Sequence, residues 1–350
     1  AQRPVSLWQW SQIQALLRDK GRCFGRCGEL NLNLTQSAVS NTREREEEID
    51  MIDIQLQREQ QKAVITVDGK LFTEYRYGHF TCRPCLYPVQ TPAGTGLTRH
   101  YPFAEVDGEN QDHYHHRSIY TAHGEVNGFN LWDENVKGLG HGSMLQRGEP
   151  VIGLANNTAQ IDGIVDWYGP SGQPLLEERR TLQIRAEDDL RIVDQRSELR
   201  AVHGDVTFGD TKEGGMFAIR VPTSMDAKDK GRIENSEGNV YENGEGEETT
   251  WGVPAAWVDY SGPLPDGSEW GHTVIDHKDN PWHPTHWHVR GYGLFTANPF
   301  ALHDFKKDES VDGSWTINGG DVAASQFRLI IHPGRGVDAD PRIRKLIDAY

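Results

Sequence analysis

The chain has little of what most often reveals a function. Only 4 of its 350 residues are cysteine, in two close pairs, Cys23/Cys27 and Cys82/Cys85. CxxC is a usual zinc half-site and CxxxC a looser one, so the four cysteines could be zinc ligands, free thiols or disulfides, and they do not fix the compartment. No stretch approaches the roughly 18 consecutive apolar residues of a spanning helix, which speaks against a helical membrane protein. Basic residues are in deficit: 36 Lys and Arg against 52 Asp and Glu give a formal charge of −16. Nucleic acid and anionic membranes are therefore poor partners. There is no HExxH helix, P-loop, GxSxG elbow or GxGxxG fingerprint behind a strand. No signal peptide opens the sequence, and a cytoplasmic or a periplasmic or secreted location remains open.

Helical periodicity is also nearly absent from the middle of the chain, which argues against Rossmann and TIM-barrel folds. What is present is strand pattern. Residues 63–77 read as a hairpin with an Asp68-Gly69 turn between alternating runs. Further short β-type runs fall at Ser118–His123, Val151–Leu154, Gln160–Tyr168, Leu182–Ala186, Leu190–Asp194, Phe217–Val221, Ala256–Tyr260, Trp270–Ile275, Tyr292–Phe295 and Phe327–His332. With 37 Gly and 17 Pro between them, they predict an all-β fold, a large antiparallel β-sandwich with Gly/Pro-rich loops. Residues 1–50 form a separate extension with a short amphipathic helix at Leu7–Arg18, and 51–350 form the sandwich domain. A final helix starts at Pro341. The acidic stretch Glu234–Glu248 and the glycine-rich 138–143 are read as loops.

Against this background two segments are unusual. One is Asp112-His113-Tyr114-His115-His116-Arg117. The other runs from Asp276 to Arg290 and carries His277, His283, His286 and His288. Together they hold seven of the 15 histidines. On a strand, His113 and His115 would share one face and His116 the other; in a turn, His113 and His116 could converge. If 285–290 is extended, His286, His288 and Arg290 line one face while Trp287 and Val289 pack on the other. Imidazoles with a carboxylate suit a transition-metal site, and equally a proton-transfer or sugar-binding site. Trp132 and Trp287 are candidate platforms for a sugar ring, whose CH face is apolar while its hydroxyls need fixed polar partners. Glu213, Arg220 and Tyr260 add an acid, a guanidinium and a phenol.

Several long segments in order, among them DHYHHRSIYTAHGEVNGFNLW, TFGDTKEGGMFAIRVP, WGVPAAWVDYSG and IDHKDNPWHPTHWHVRGYGLFTANPF, resemble a bacterial family named methane oxygenase PmoA-like, over residues 60–335. The name is a poor guide, because the membrane subunit of that monooxygenase spans the bilayer with several helices and nothing here can. What the resemblance implies is a soluble β-sandwich found among sugar-catabolic proteins. It carries the family's Asp-His-x-His-His pattern onto Asp112, His113, His115 and His116, and its proline-rich turn onto His283, Pro284, Trp287 and Arg290. Tyr114 stands where the family often has proline, and Ser118 where it often has glycine.

The reading that follows is a carbohydrate-active enzyme, a hydrolase or lyase acting on a small-molecule or oligosaccharide substrate. His113, His116, Glu213 and Arg290 would carry the chemistry, and His115, Trp132, Arg220, Tyr260 and Trp287 would bind the sugar. One divalent metal ion could sit on His113, His116, His286 and His288. The rivals are a copper or iron oxidoreductase and a non-catalytic sugar-binding or assembly module. A homo-oligomer is compatible with all three.

Overall fold

The computed structural model describes residues 51–78, 82–134 and 141–350. The expected helix Leu7–Arg18, the rest of the extension, and Cys23 and Cys27 lie outside the described residues. Among those described, two large sheets hold nearly all of the strands, and every strand pairing is antiparallel. The β-sandwich expected from the sequence is the fold observed.

The eight-stranded sheet runs, in spatial order, Ile52–Gln57, Lys62–Val67, Lys70–Arg76, Cys85–Val89, Ile119–His123, Gly214–Arg220, Leu294–Ala297 and Trp287–Val289. The ten-stranded sheet is centred on the long strands Pro174–Glu187, Leu190–Arg200 and Val322–Pro333. The sheets meet face to face through Phe217 on Phe327 at 5.9 Å, Tyr260 on Phe295 at 6.1 Å, and a hydrogen bond from the Tyr75 hydroxyl to Gln146 at 2.9 Å. Alternation of apolar and polar residues along each strand puts one set of side chains into this shared core. The hairpin turn is as expected: Asp68 and Gly69 both take positive φ, +51° and +73°, between Val67 and Lys70. Such a turn matches the right-handed twist of its strands. The C-terminal helix Pro341–Asp348 is capped by Asp340, whose carboxylate accepts from the Arg342 amide.

The acidic stretch Glu234–Glu248 is not a plain loop. Arg232–Asn235 and Val240–Glu242 form a hairpin on the edge of the ten-stranded sheet, and Glu247–Thr250 is a short helical turn. Ile233 and Tyr241 are buried in it while Arg232 pairs with Glu234 and Glu242 on the outer side. A period-two pattern was there, hidden by the charge of its solvent-facing half.

Candidate active site

One face of the eight-stranded sheet looks into the core and the other carries the site. Direct cross-strand partners project to the same side, so the register places Arg76, Cys85, Tyr120, Ala218, Thr296 and His288 in one row. On the opposite side Trp287, Phe295 and Phe217 fill the sandwich. The expected alternation at 286–290 holds: His286 and His288 both pack on Phe305, and Trp287 and Val289 are core.

Above Tyr120 lies the segment 112–117. It is a turn, with the His116 amide donating to the His113 carbonyl at 3.0 Å. His113 and His116 therefore converge, and their rings stack at 4.7 Å within 8° of parallel. His113 has φ of +43°, a conformation costing a non-glycine residue on the order of 1 kcal/mol; such strain collects at functional sites. Ser118, at the place where the resembling family often has glycine, takes φ of +60°, which is the reason glycine suits that position.

Two buried guanidiniums hold the turn. Arg220, at the end of its strand, donates to His116 Nδ1 at 2.9 Å and to Asp112 Oδ1 at 2.8 Å. Arg99 also donates to Asp112, and to the His113 carbonyl at 2.9 Å. Arg99 is itself placed by its amide bond to the Arg220 carbonyl at 2.9 Å. Burial pushes the Asp112 carboxyl upward, but the hydrogen bond from His113 and the charges of Arg220 and Arg99 outweigh it and hold the group well below the usual carboxylate range. Asp112 Oδ2 lies 3.1 Å from His113 Nδ1. The His113 side chain is 42% exposed, the most open of the turn's three histidines.

The other two serve differently. Burial, then the charge of Arg220, keeps His116 well below its ordinary value and neutral. Since an arginine can only donate, His116 Nδ1 accepts and its proton sits on Nε2, which has no hydrogen-bond partner. His115 lies edge-on to His116 at 4.5 Å and is pushed down to about 4 by burial and by Arg83. Beneath them the Tyr120 hydroxyl and the Trp132 indole nitrogen are buried without partners.

Across from the turn stand groups from three other segments. Glu213 precedes the strand Gly214–Arg220 at an exposed position; neighbouring protein atoms desolvate its carboxyl and raise it, with Lys212 and His113 pulling the other way. Tyr292 stacks on His113 at 5.3 Å with Arg220 below its ring. Its turn needs Gly293, at φ +94°, where a Cβ would meet Arg220 and Asp226. Arg290 donates to Glu247 at 2.8 Å and lies over the Trp251 and Tyr292 rings. His288 accepts from the Trp251 indole at 2.8 Å, and burial with Arg290 and Lys212 pushes it down to about 3.

Several expected roles change. Trp287 is fully buried, its indole bonded to the Ala255 carbonyl at 2.9 Å; burying such a ring stabilises the core by about 2–3 kcal/mol and leaves no face for a sugar. Tyr260 is likewise buried on the ten-stranded sheet, accepting from the Ala227 amide and donating to the Arg290 carbonyl at 3.2 Å. It supports the backbone of Arg290 and cannot reach ligand. Trp132 is buried behind His115 and His116 and presents no open face. Tyr292 and Trp251 are the partly buried rings nearest the turn, each covered in part by Arg290, and Tyr292 also by His113 and Arg220; the sequence marked Tyr292 only by its place two residues past Arg290.

The proposed metal set does not assemble. No group of three or more His, Cys, Asp or Glu side chains placed to hold a metal occurs among the described residues. Lone pairs of imidazole lie in the ring plane, so the parallel rings of His113 and His116 cannot aim at one ion. His286 is apart, stacked on Phe305. Cys82 and Cys85 are free thiols, the latter pushed by burial up to about 12.

The chain belongs to a family of unknown function, DUF6807, which it matches over residues 62–346. No curated protein matches it. Among solved structures it is similar to the GH36 α-galactosidase of Geobacillus stearothermophilus, at TM-score 0.40 and 10% identity over 82% of this chain and 41% of that one; it thus spans less than half of that enzyme's length. It is also similar to galactose 1-epimerase of Lactobacillus acidophilus NCFM, at 0.38 and 8% over 82% and 100% of the two chains. A galactose mutarotase related enzyme of Lactobacillus acidophilus gives 0.33 and 7% over 81% and 97%. Scores of this size describe a loose likeness of β-architecture and carry no argument about activity.

Proposed function

We propose that this member of DUF6807 is a carbohydrate-active enzyme, a hydrolase or lyase, that moves protons through His113 and Glu213 on the open face of the eight-stranded sheet. The observation that carries the reading is the Asp112–His113 pair, oriented by two buried arginines and left open to solvent. With Nδ1 turned to a permanently ionised carboxylate, His113 presents Nε2 to a ligand as a general base, and the imidazolium formed on taking a proton is stabilised by Asp112. Glu213, raised by desolvation from neighbouring protein atoms, holds its proton more tightly than an ordinary glutamate and can deliver it to a leaving oxygen. Arg290 supplies the positive charge for an oxyanion that develops between them. Tyr292 and Trp251 add apolar ring edges beside the open nitrogen of His113.

In the lyase form, His113 removes the proton next to a carbonyl or carboxylate, the electron pair expels the leaving oxygen, and Glu213 protonates that oxygen. In the hydrolase form, His113 activates water and Glu213 protonates the departing sugar. The test is a screen of oligosaccharides with wild type and His113→Asn. The variant is expected to lose about 10²–10⁴-fold in kcat with an unchanged melting temperature. Undiminished turnover in His113→Asn would remove the proposal.

A further inference from the structure

A second feature of the same half of the molecule has no part in the proton transfer. A cavity of about 330 Å³, at the lower end of small-molecule sites, has Lys62, Arg76, Phe103, Tyr114 and Arg117 in its walls. Tyr114 and Arg117 belong to the histidine turn, so the turn is a wall common to this cavity and to the site of His113. Among the described residues, no acidic side chain lines it. The acids that balance its cations sit behind them: Glu74 pairs with both Lys62 and Arg76, at 2.6 and 2.8 Å, with little exposure. Glu134 pairs with both Arg117, at 2.5 Å, and Arg83, at 3.3 Å, and is nearly inaccessible.

Two cations therefore share each buried carboxylate: Lys62 and Arg76, on Glu74, line the cavity with part of their surface open, and Arg117, on Glu134, lines it from a nearly buried position, while Arg83 lies behind. This occurs in a chain whose net charge is −16. A locally positive cavity in an acidic protein is selective by charge, because anions are repelled elsewhere on the surface. The remaining lining is what a sugar ring needs: two amides, from Gln60 and Gln61, and the half-exposed ring of Tyr114, held at 5.1 Å by the Arg117 guanidinium. Arg76 and Arg117 are fixed over Phe103 at 5.3 and 5.4 Å, so their donors are ordered before any ligand arrives.

We propose that this cavity is a subsite for an acidic sugar, a residue carrying a carboxylate, and that the substrate is an oligosaccharide with such a residue next to the unit over His113. The second half of that statement rests on the enzyme reading above; the cavity's preference for a carboxylated sugar does not.

Glucuronate, glucose and glucose 6-phosphate are titrated by calorimetry into the full chain at low and high salt. Glucuronate is expected to bind at least about tenfold more tightly than glucose and to weaken as salt rises. Lys62→Gln, which leaves Arg76 on Glu74, and Tyr114→Ala are each expected to weaken glucuronate about three- to tenfold while glucose is unaffected. Equal affinity for glucose and glucuronate overturns the proposal, as does tighter binding of glucose 6-phosphate, or unchanged glucuronate affinity in both variants. His113→Asn separates the two readings. Glucuronate binding retained in a protein that turns over no oligosaccharide leaves the subsite standing without the enzyme. Turnover of neutral oligosaccharides with no glucuronate binding does the reverse.

Discussion

The two histidine-rich segments have similar composition and opposite fates. In 112–117 the backbone makes a turn over an open sheet face, and distant arginines pin it from below. In 276–285 the chain folds on its own carboxylate. Asp276 accepts from the Asn280 side chain at 2.6 Å, the Thr285 amide at 2.8 Å and His283 at 2.9 Å. His277 turns its ring edge-on to Tyr350 at 4.8 Å. The first segment keeps a 42% exposed imidazole on a carboxylate held by arginines from elsewhere; in the second the carboxylate behind His283, which is 26% exposed, is also consumed in closing a loop. Histidine and aspartate in close sequence are thus not a site by themselves. What separates the two is whether the carboxylate's other partners are local or come from elsewhere in the fold.

The sharpest break between the regions comes from removing each organiser. Arg220→Met strips a buried donor from Asp112 and from His116 at once and is expected to cost about 3–5 kcal/mol of stability together with essentially all turnover. Asp276→Ala leaves three donors without their acceptor and is expected to cost about 2–3 kcal/mol, with kcat and KM of the remaining folded protein unchanged. Urea unfolding and steady-state kinetics on both variants check this; an equal loss of activity from both would erase the distinction drawn here.

The pH dependence of stability draws on both segments. Burial holds His115, His123 and His272 down at about 4 and His288 at about 3. In the unfolded chain they take up protons as pH falls through about 6.5, whereas the folded chain resists until about 4 or below. The unfolded state binds more protons in that window, so stability falls as pH drops from about 6.5 to 4. At pH 5 these four imidazoles are expected to contribute about 3.6 protons taken up on unfolding, measured from urea midpoints. His332 acts in the other direction: Asp259 raises it against burial, so its contribution is present at low pH and lost as pH rises through its raised value. A flat profile between pH 5 and 6.5 would contradict neutral buried imidazoles. The smallest effect is expected from His277→Ala, about 1 kcal/mol with no kinetic change.

The strand pattern was largely legible. Period-two runs marked the hairpin 62–76 and the cores of the longest strands, and the HxH register at 286–288 followed from the same rule. The lengths were underestimated where charged residues continue a strand, as in Pro174–Glu187, whose outer face carries Glu177 and Arg179. Cys85–Val89 escaped notice because its residues are nearly all buried and show no alternation. At the candidate site, Asp112 and His113 stood out by composition. Arg99 and Glu134 did not, since a lone arginine or glutamate looks the same in sequence whether it is solvated or buried against a partner.

Local chemistry in the chain determined that this protein is built of strands, where its hairpin turns, and which residues could share a face. Only the tertiary structure decided which histidine remains open. Arg220 reaches Asp112 across 108 residues of sequence, and Glu74 and Glu134 balance the cations of the basic cavity from a strand and from a distant loop. The physical reason is that alternation is a property of neighbours along the chain, whereas burial of a charge is tolerated only where the fold delivers its counter-charge. No local pattern records that delivery.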